Sequence, residues 1–207
     1  FLGYKKEIDE LAKKRLVVVR QKRNSSLGYR VSQSVVKAIQ DNTVIEPERL
    51  EGLSTRTIFN RLHNIFADIA NGVSSSQIGL QEICDIMNSN HENRFVEAAL
   101  KLGINNLGSS EETMMMFYML HRIISFNDNE FTIDELSRLF DDPLGLNDVI
   151  FDAMRKGEST LQEKGLVEHP CEDGLENREV YQIPRRIQDE LLADLSAKGG
   201  QSKSSIP

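Results

Sequence analysis

This sequence predicts a mainly α fold, a helical bundle flanked by two small units that each run helix, strand, tip, strand, helix. Three observations carry that prediction. Leu11-Ala-Lys-Lys-Arg-Leu-Val17 near the start returns 150 residues later as Leu161-Gln-Glu-Lys-Gly-Leu-Val167. Each copy then crosses a polar stretch into a similar segment: Tyr29-Arg-Val31 leads on to Val35 and Ile39, and Tyr181-Gln-Ile183 to Ile187 and Leu191. Between the copies, apolar residues recur at three- and four-residue spacing, the period of an amphipathic helix.

In the first unit a helix ends at Lys14-Arg15, and the run Leu16–Val19 enters a strand. Asn24–Gly28 has the composition of a hairpin tip, and the return strand stops at Ser32, which can cap the next helix. Asp41–Gly52 is polar, holds Pro47 and reads as a connector. A helix then opens at Ser54 or Thr55, with Ile58, Leu62, Ile65, Phe66 and Ile69 on one face, and ends near Asn71-Gly72. After the loop Ser74–Ser76 comes a second helix carrying Ile78, Leu80, Ile83 and Met87. A third runs from Glu92 through Phe95, Ala98, Ala99 and Leu102 to a stop at Gly103.

The fourth helix has the strongest signal. Ser109 with Glu112 forms a capping box, and Thr113–Leu120 through Ile123 and Ile124 is apolar on nearly every side, as in a buried central helix. Its methionines read as core filling rather than as an adaptable binding surface. A polar turn follows at Phe126–Phe131, and a second capping box, Thr132 with Glu135, opens the short helix Leu136–Phe140. Another helix spans Asn147 to Met154, with Leu161 on a further turn after Gly157. A strand at Leu166-Val167, a tip at Cys171–Gly174 and a return strand ending at Pro184, which suits a first helical turn, complete the second unit.

That order is the winged-helix order, complete over roughly 109–183 and lacking two helices before the first wing. The expected organisation is a partial winged helix at 1–42, a helical linker or bundle at 53–105, a winged helix at 106–196 and a flexible linker at 197–207, where Gly and Ser accumulate. Phe1 is not an initiator residue, so the chain reads as a piece of a longer protein.

With 39% apolar and 28% charged residues, the composition is that of a soluble globular protein. No run reaches the ~18–20 apolar residues of a membrane span, and no signal peptide opens the chain. No membrane partner is expected. Cys84 and Cys171 form no Cys-x-x-Cys pair, which argues against a zinc site or disulfide framework and fits a cytoplasmic location.

The net charge of −7 is unevenly spread. Residues 1–50 hold 11 Lys/Arg against 6 Asp/Glu, residues 51–150 hold 6 against 15, and residues 151–207 hold 8 against 11. In the first unit Lys13, Lys14, Arg20, Lys22 and Arg23 are candidate DNA-binding residues, since the helix and wing of such a module face the groove and phosphates. The helix and wing of the second unit carry Asp148, Asp152, Glu158, Glu163, Glu168, Glu172, Asp173, Glu176 and Glu179 against Arg155, Lys156, Lys164 and Arg178. Phosphate would be repelled there, and a protein partner fits better.

Chemistry of the chain's own is not indicated, and no catalytic residue is assigned. Phe126 onward fails as a calcium loop, because Phe126, Phe131 and Ser137 fall where an aspartate, a glycine and a glutamate are needed. His63, His91, His121 and His169 lie in separate segments without ligand spacing, so no metal is expected. Gly199-Gly-Gln-Ser-Lys203-Ser204 lacks the spacing of a phosphate loop.

Three stretches resemble a known family. Asn127-Asp-Asn-Glu-Phe-Thr-Ile-Asp-Glu-Leu136, Lys156–Val167 and Asn177-Arg-Glu-Val-Tyr-Gln-Ile183 are similar to the region preceding the ATPase module in a group of bacterial AAA-type ATPases. The likeness covers about the last 90 residues well and the first 100 loosely. It implies a non-catalytic regulatory or substrate-recognition region, cytoplasmic, whose partner is another protein or the parent chain's own ATPase domain. It also implies ATP and magnesium in the parent chain, with no cofactor in these 207 positions. A winged-helix DNA-binding transcriptional regulator or chromosome-associated protein is the alternative, read from the basic first unit.

Overall fold

The computed structural model describes residues 4–13, 16–21, 27–44, 50–72, 74–140 and 148–196, and these are mainly helical. Helix α1 (Lys5–Lys13) leads into strand β1 (Val17–Gln21), which pairs antiparallel with β2 (Leu27–Val31) before α2 (Gln33–Gln40). Gln21 lies opposite Leu27 and Arg20 opposite Gly28. Leu27 and Gly28, expected in the tip, are therefore ladder residues, because the pairing continues outward past Tyr29. On α2, Val35 and Ala38 are buried three residues apart on one face, while Ile39 is 69% exposed.

The repeated heptapeptide closes its helix the same way in both copies. The Leu16 N–H donates to the Leu11 carbonyl at 2.9 Å, and the Leu166 N–H to the Leu161 carbonyl at 2.8 Å. This is the six-residue closure of a Schellman turn, and in the second copy Gly165 supplies the left-handed residue it needs, at φ +60°. The surroundings differ: Leu161 is fully buried, whereas Leu11 is 40% exposed.

Helices α3 (Thr55–Ala70), α4 (Ser76–Asn88) and α5 (Arg94–Lys101) are each opened by the side chain that precedes them. Ser54 accepts from the Thr57 N–H, Ser75 from that of Ile78, and Asn93 from those of Phe95 and Val96. The predicted face of α3 is the buried one, with Ile58, Leu62, Ile65 and Phe66 inside. Helix α4 crosses it at Gly79, where a Cβ would lie 2.7 Å from Ile69 Cδ1 and 2.9 Å from Ile65 Cγ2. The glycine is there for the close approach of two helices.

A 3-10 turn at Ile104–Asn106 leads to α6 (Ser110–Phe126), which is buried on almost every side: Met114, Met115, Met116, Phe117, Met119 and Leu120 are each at most 1% exposed. The hydrophobic core around it runs from Ile58 to Leu192. It draws on residues from both 53–105 and 106–196, while Val35 and Ala38 lie outside it.

Beyond α6 come β3 (Phe131–Thr132), α7 (Ile133–Ser137), α8 (Asp148–Lys156) and α9 (Thr160–Glu163). They are followed by β4 (Cys171–Glu172), β5 (Leu175–Glu176), β6 (Val180–Tyr181), α10 (Arg185–Leu191) and α11 (Ala193–Ser196). β3 pairs antiparallel with β6, setting Phe131 opposite Tyr181, and a single bridge joins Glu168 to Gln182. Asn129 extends this pairing with its side chain: Oδ1 accepts from the Ile183 N–H at 3.0 Å and Nδ2 donates to the Ile183 carbonyl at 3.1 Å. β4 and β5 form a tight hairpin turned by Asp173 and Gly174, with φ +51° and +79°, the paired left-handed residues of a type I′ turn. Cys171 and Glu172, expected in the tip, are strand residues because that two-residue turn leaves the ladder intact on either side.

Both capping boxes are half made. Ser109 Oγ accepts from the Glu112 N–H, and Thr132 Oγ1 from that of Glu135, as predicted. The glutamates do not close the boxes reciprocally. Glu112 Oε1 accepts from the Leu161 N–H at 3.4 Å, and Glu135 pairs with Arg122. Tertiary partners have taken over carboxylates that the local pattern assigned to capping.

Among the described residues no helix is long and apolar enough to cross a membrane. Two predictions follow from the packing. Met115→Ala should cost about 2–5 kcal/mol in urea unfolding and Met115→Leu less than about 1.5 kcal/mol, the difference expected of a filled core. The hydroxyl of Tyr181 is buried without a hydrogen-bond partner, so Tyr181→Phe should hold or raise stability, by up to about 1–3 kcal/mol. A loss above 1 kcal/mol would show that the hydroxyl is bonded.

Candidate functional site

Of the five basic candidates, Lys14, Lys22 and Arg23 lie outside the described residues. Lys13 ends α1, and Arg20 sits in β1 opposite Gly28. The hairpin expected to carry Arg20 is therefore present, and the other three are not brought into a described surface.

In the second unit several cations are engaged internally. Arg155 pairs with Asp152 at 2.7 Å, Arg178 with Glu176 at 3.0 Å and Arg185 with Asp189 at 3.1 Å. Arg186 donates to the Gly165 carbonyl at 2.8 Å, and Lys164 to the carbonyls of Gly103 and Asn106 at 3.4 and 3.5 Å. Exposed ion pairs of this kind add little stability, but the three with carboxylates offset positive charge that a phosphate would need. The segment 168–179 holds five acidic residues and one arginine, and Leu175 in its hairpin is 77% exposed.

A groove of about 1500 Å³ opens where the N-termini of α3 and α5 meet, with Phe59, Asn60, Ile124 and Ser125 along one wall. Its polar floor is knitted together. Buried Asn90 accepts from the Leu53 N–H at 2.7 Å and donates to the carbonyls of Leu50 and Ile86 at 2.6 and 2.7 Å. Thr55 Oγ1 lies 3.3 Å from both Asn93 Oδ1 and Asp194 Oδ2, and Arg94 reaches Asp194 at 3.5 Å. The carboxylate of Asp194 thus already sits where two helix N-termini favour negative charge.

One turn from those wall residues, His63 Nδ1 of α3 and His121 Nε2 of α6 are 3.1 Å apart. The rings of Phe66 and Phe126 pack on His121 with centroids at 5.2 and 5.7 Å. Burial, then His63, then Arg122 hold the His121 pKa down to about 4 from the usual 6.5. Arg122 itself bonds Glu135, Asp128 and the Tyr118 hydroxyl. Sequence reading missed this cluster, since the histidines are 58 residues apart. The usable signal was that each falls at the edge of an apolar helical stripe.

Among the described residues no group of three or more His, Cys, Asp or Glu could hold a metal ion. Cys84 is half-buried and Cys171 exposed, both as free thiols, and burial raises the Cys84 pKa. Comparison with protein-family models, with curated proteins and with solved structures finds no match to this chain.

The groove floor makes its own prediction. Asn90→Ala strands the Leu53 N–H and the Leu50 carbonyl, so it should destabilise the chain by about 1–3 kcal/mol for each group that water cannot reach. Thermal unfolding of the variant within 1 °C of the parent would contradict this role for Asn90.

Proposed function

We propose that this chain is a non-catalytic regulatory or partner-recognition region of a larger, cytoplasmic AAA-type ATPase. On this reading 106–196 is a winged helix, 1–42 a partial one, 53–105 a helical bundle between them and 197–207 a linker. The element order α6, β3, α7, α8, α9, hairpin, β6 supports it, as does the pairing of β3 with β6 beside the Glu168–Gln182 bridge. So does the antiparallel hairpin of the first unit between α1 and α2.

The observation that carries the partner-recognition reading is the charge of the second unit. Most of its cations are engaged by carboxylates or backbone carbonyls, while Asp173, Glu179 and the exposed Leu175 face outward. An acidic hairpin with an apolar residue exposed suits a protein surface, either a separate partner or the parent chain's own ATPase domain, rather than phosphates. ATP and magnesium belong to that domain.

A second reading, a winged-helix DNA-binding regulator or chromosome-associated protein, is favoured by one observation, the excess of Lys and Arg in residues 1–50. On that reading Lys13, Lys14, Arg20, Lys22 and Arg23 would contact phosphates.

Two measurements decide between them. The gene downstream of Pro207 should encode a Gly-x-x-x-x-Gly-Lys-Ser/Thr loop, and its absence would sink the ATPase reading. A fluorescently labelled duplex should show no measurable binding even at low salt. Binding that weakens roughly a thousand-fold between 50 and 200 mM salt, and is abolished by Lys22→Glu with Arg23→Glu, would favour the DNA reading instead.

A further inference from the structure

We infer that the His63–His121 imidazole pair is an acid-operated latch between α3 and α6 that fixes one wall of the adjoining groove. The inference starts from counting hydrogens. The two facing nitrogens are 3.1 Å apart, so one hydrogen lies between them. His121 is 4% exposed and its Nδ1 has no partner. An unpaired buried donor is much rarer than an unpaired acceptor, so Nδ1 is the bare nitrogen and His121 Nε2–H donates to His63 Nδ1.

That arrangement has no place for a second proton. On His63 it would go to Nδ1 and set two N–H groups against each other. On His121 it would go to Nδ1 and create a buried cation with no acceptor. The groups facing the pair offer no compensation. From α3 come His63 and the Phe66 ring; from α6 come Tyr118, Phe126 and the Arg122 guanidinium, itself a cation, whose partners Asp128 and Glu135 are already committed to it. Among the described residues no hydrogen bond joins either imidazole to a carboxylate.

The pair lies next to the groove. Phe59 and Asn60 of its wall precede His63 by one turn of α3, and Ile124 and Ser125 follow His121 by one turn of α6. The ring of Phe126, 58% exposed, lies against both imidazoles. Breaking the pair therefore frees the ends of both helices where they border the groove.

With its folded pKa near 4 against 6.5 in the unfolded chain, His121 makes unfolding take up a proton between those values. The latch is fully set above about pH 6.5 and is lost as pH falls toward 4.

Hydrogen–deuterium exchange, corrected for intrinsic rates, tests this on the whole chain. Protection of 59–66 and 118–126 should fall at least about tenfold between pH 7.5 and 4.5, while His121→Phe should change by less than about twofold over the same range. No loss in the parent overturns the latch. An equal loss in His121→Phe also overturns it, placing the acid response elsewhere in the chain. Should His121→Phe fail to fold, imidazole nitrogen NMR of the parent decides. An Nε2–H tautomer of His121 with no titration near pH 6.5 is expected, and an Nδ1–H tautomer or an ordinary midpoint overturns the inference.

Discussion

The hydrophobic core of this structure is arranged around a helix whose middle is shut off from water. Helix α6 presents Met114, Met115, Met116, Phe117, Met119 and Leu120 in successive directions, so elements must close on it from all sides. α3 and α4 cover it from the N-terminal side of the sequence, and α9 from the C-terminal side. Unbranched methionines suit such a position, because they fill the irregular gaps between several neighbours at once. With that stretch spent on the core, α6 is exposed mainly at its C-terminal turn, at Ile124, Ser125 and Phe126. Exposed features lie elsewhere as well, at Leu175 in the hairpin Cys171–Glu176 and in the groove at the ends of α3 and α5.

The two half-made capping boxes follow from the same constraint. Glu112, buried in the first turn of α6, finds the N–H of Leu161 near the start of α9, where a carboxylate also meets the positive end of a short helix. Glu135 is drawn to Arg122, whose guanidinium lies over the rings of Tyr118 and Phe126 and ties the end of α6 to α7. In both cases the hydroxyl half of the box stayed local. The longer glutamate reached a tertiary partner instead.

Much of the fold was legible because helix ends are written locally. Ser54, Asn71-Gly72, Gly103, Ser109 and Thr132 mark boundaries that recur in the structure, and the stripe Ile58, Leu62, Ile65, Phe66 is the buried face of α3. Asp173-Gly174 announced a turn, although the ladder beside it runs closer to the tip than residue composition suggested. The candidate site was far less legible. The groove floor joins residues 50–55 to 86–94 and to Asp194, and the imidazole pair joins positions 58 apart, so no window of sequence contains either. Three of the five basic candidates fall outside the described residues, and for them the reading rests on charge alone.

The duplicated heptapeptide ends its helix with the same hydrogen bond in both places, yet Leu161 is fully enclosed and Leu11 is not. One sequence pattern thus serves as a backbone punctuation mark, independent of the company it keeps. In mutational terms the two copies are unequal. The leucine at 161 is answerable to a packed interior and admits few replacements, whereas the one at 11 answers mainly to its own turn. Divergence after a duplication would therefore run faster in the first copy, erasing side-chain identity there long before it erased the turn.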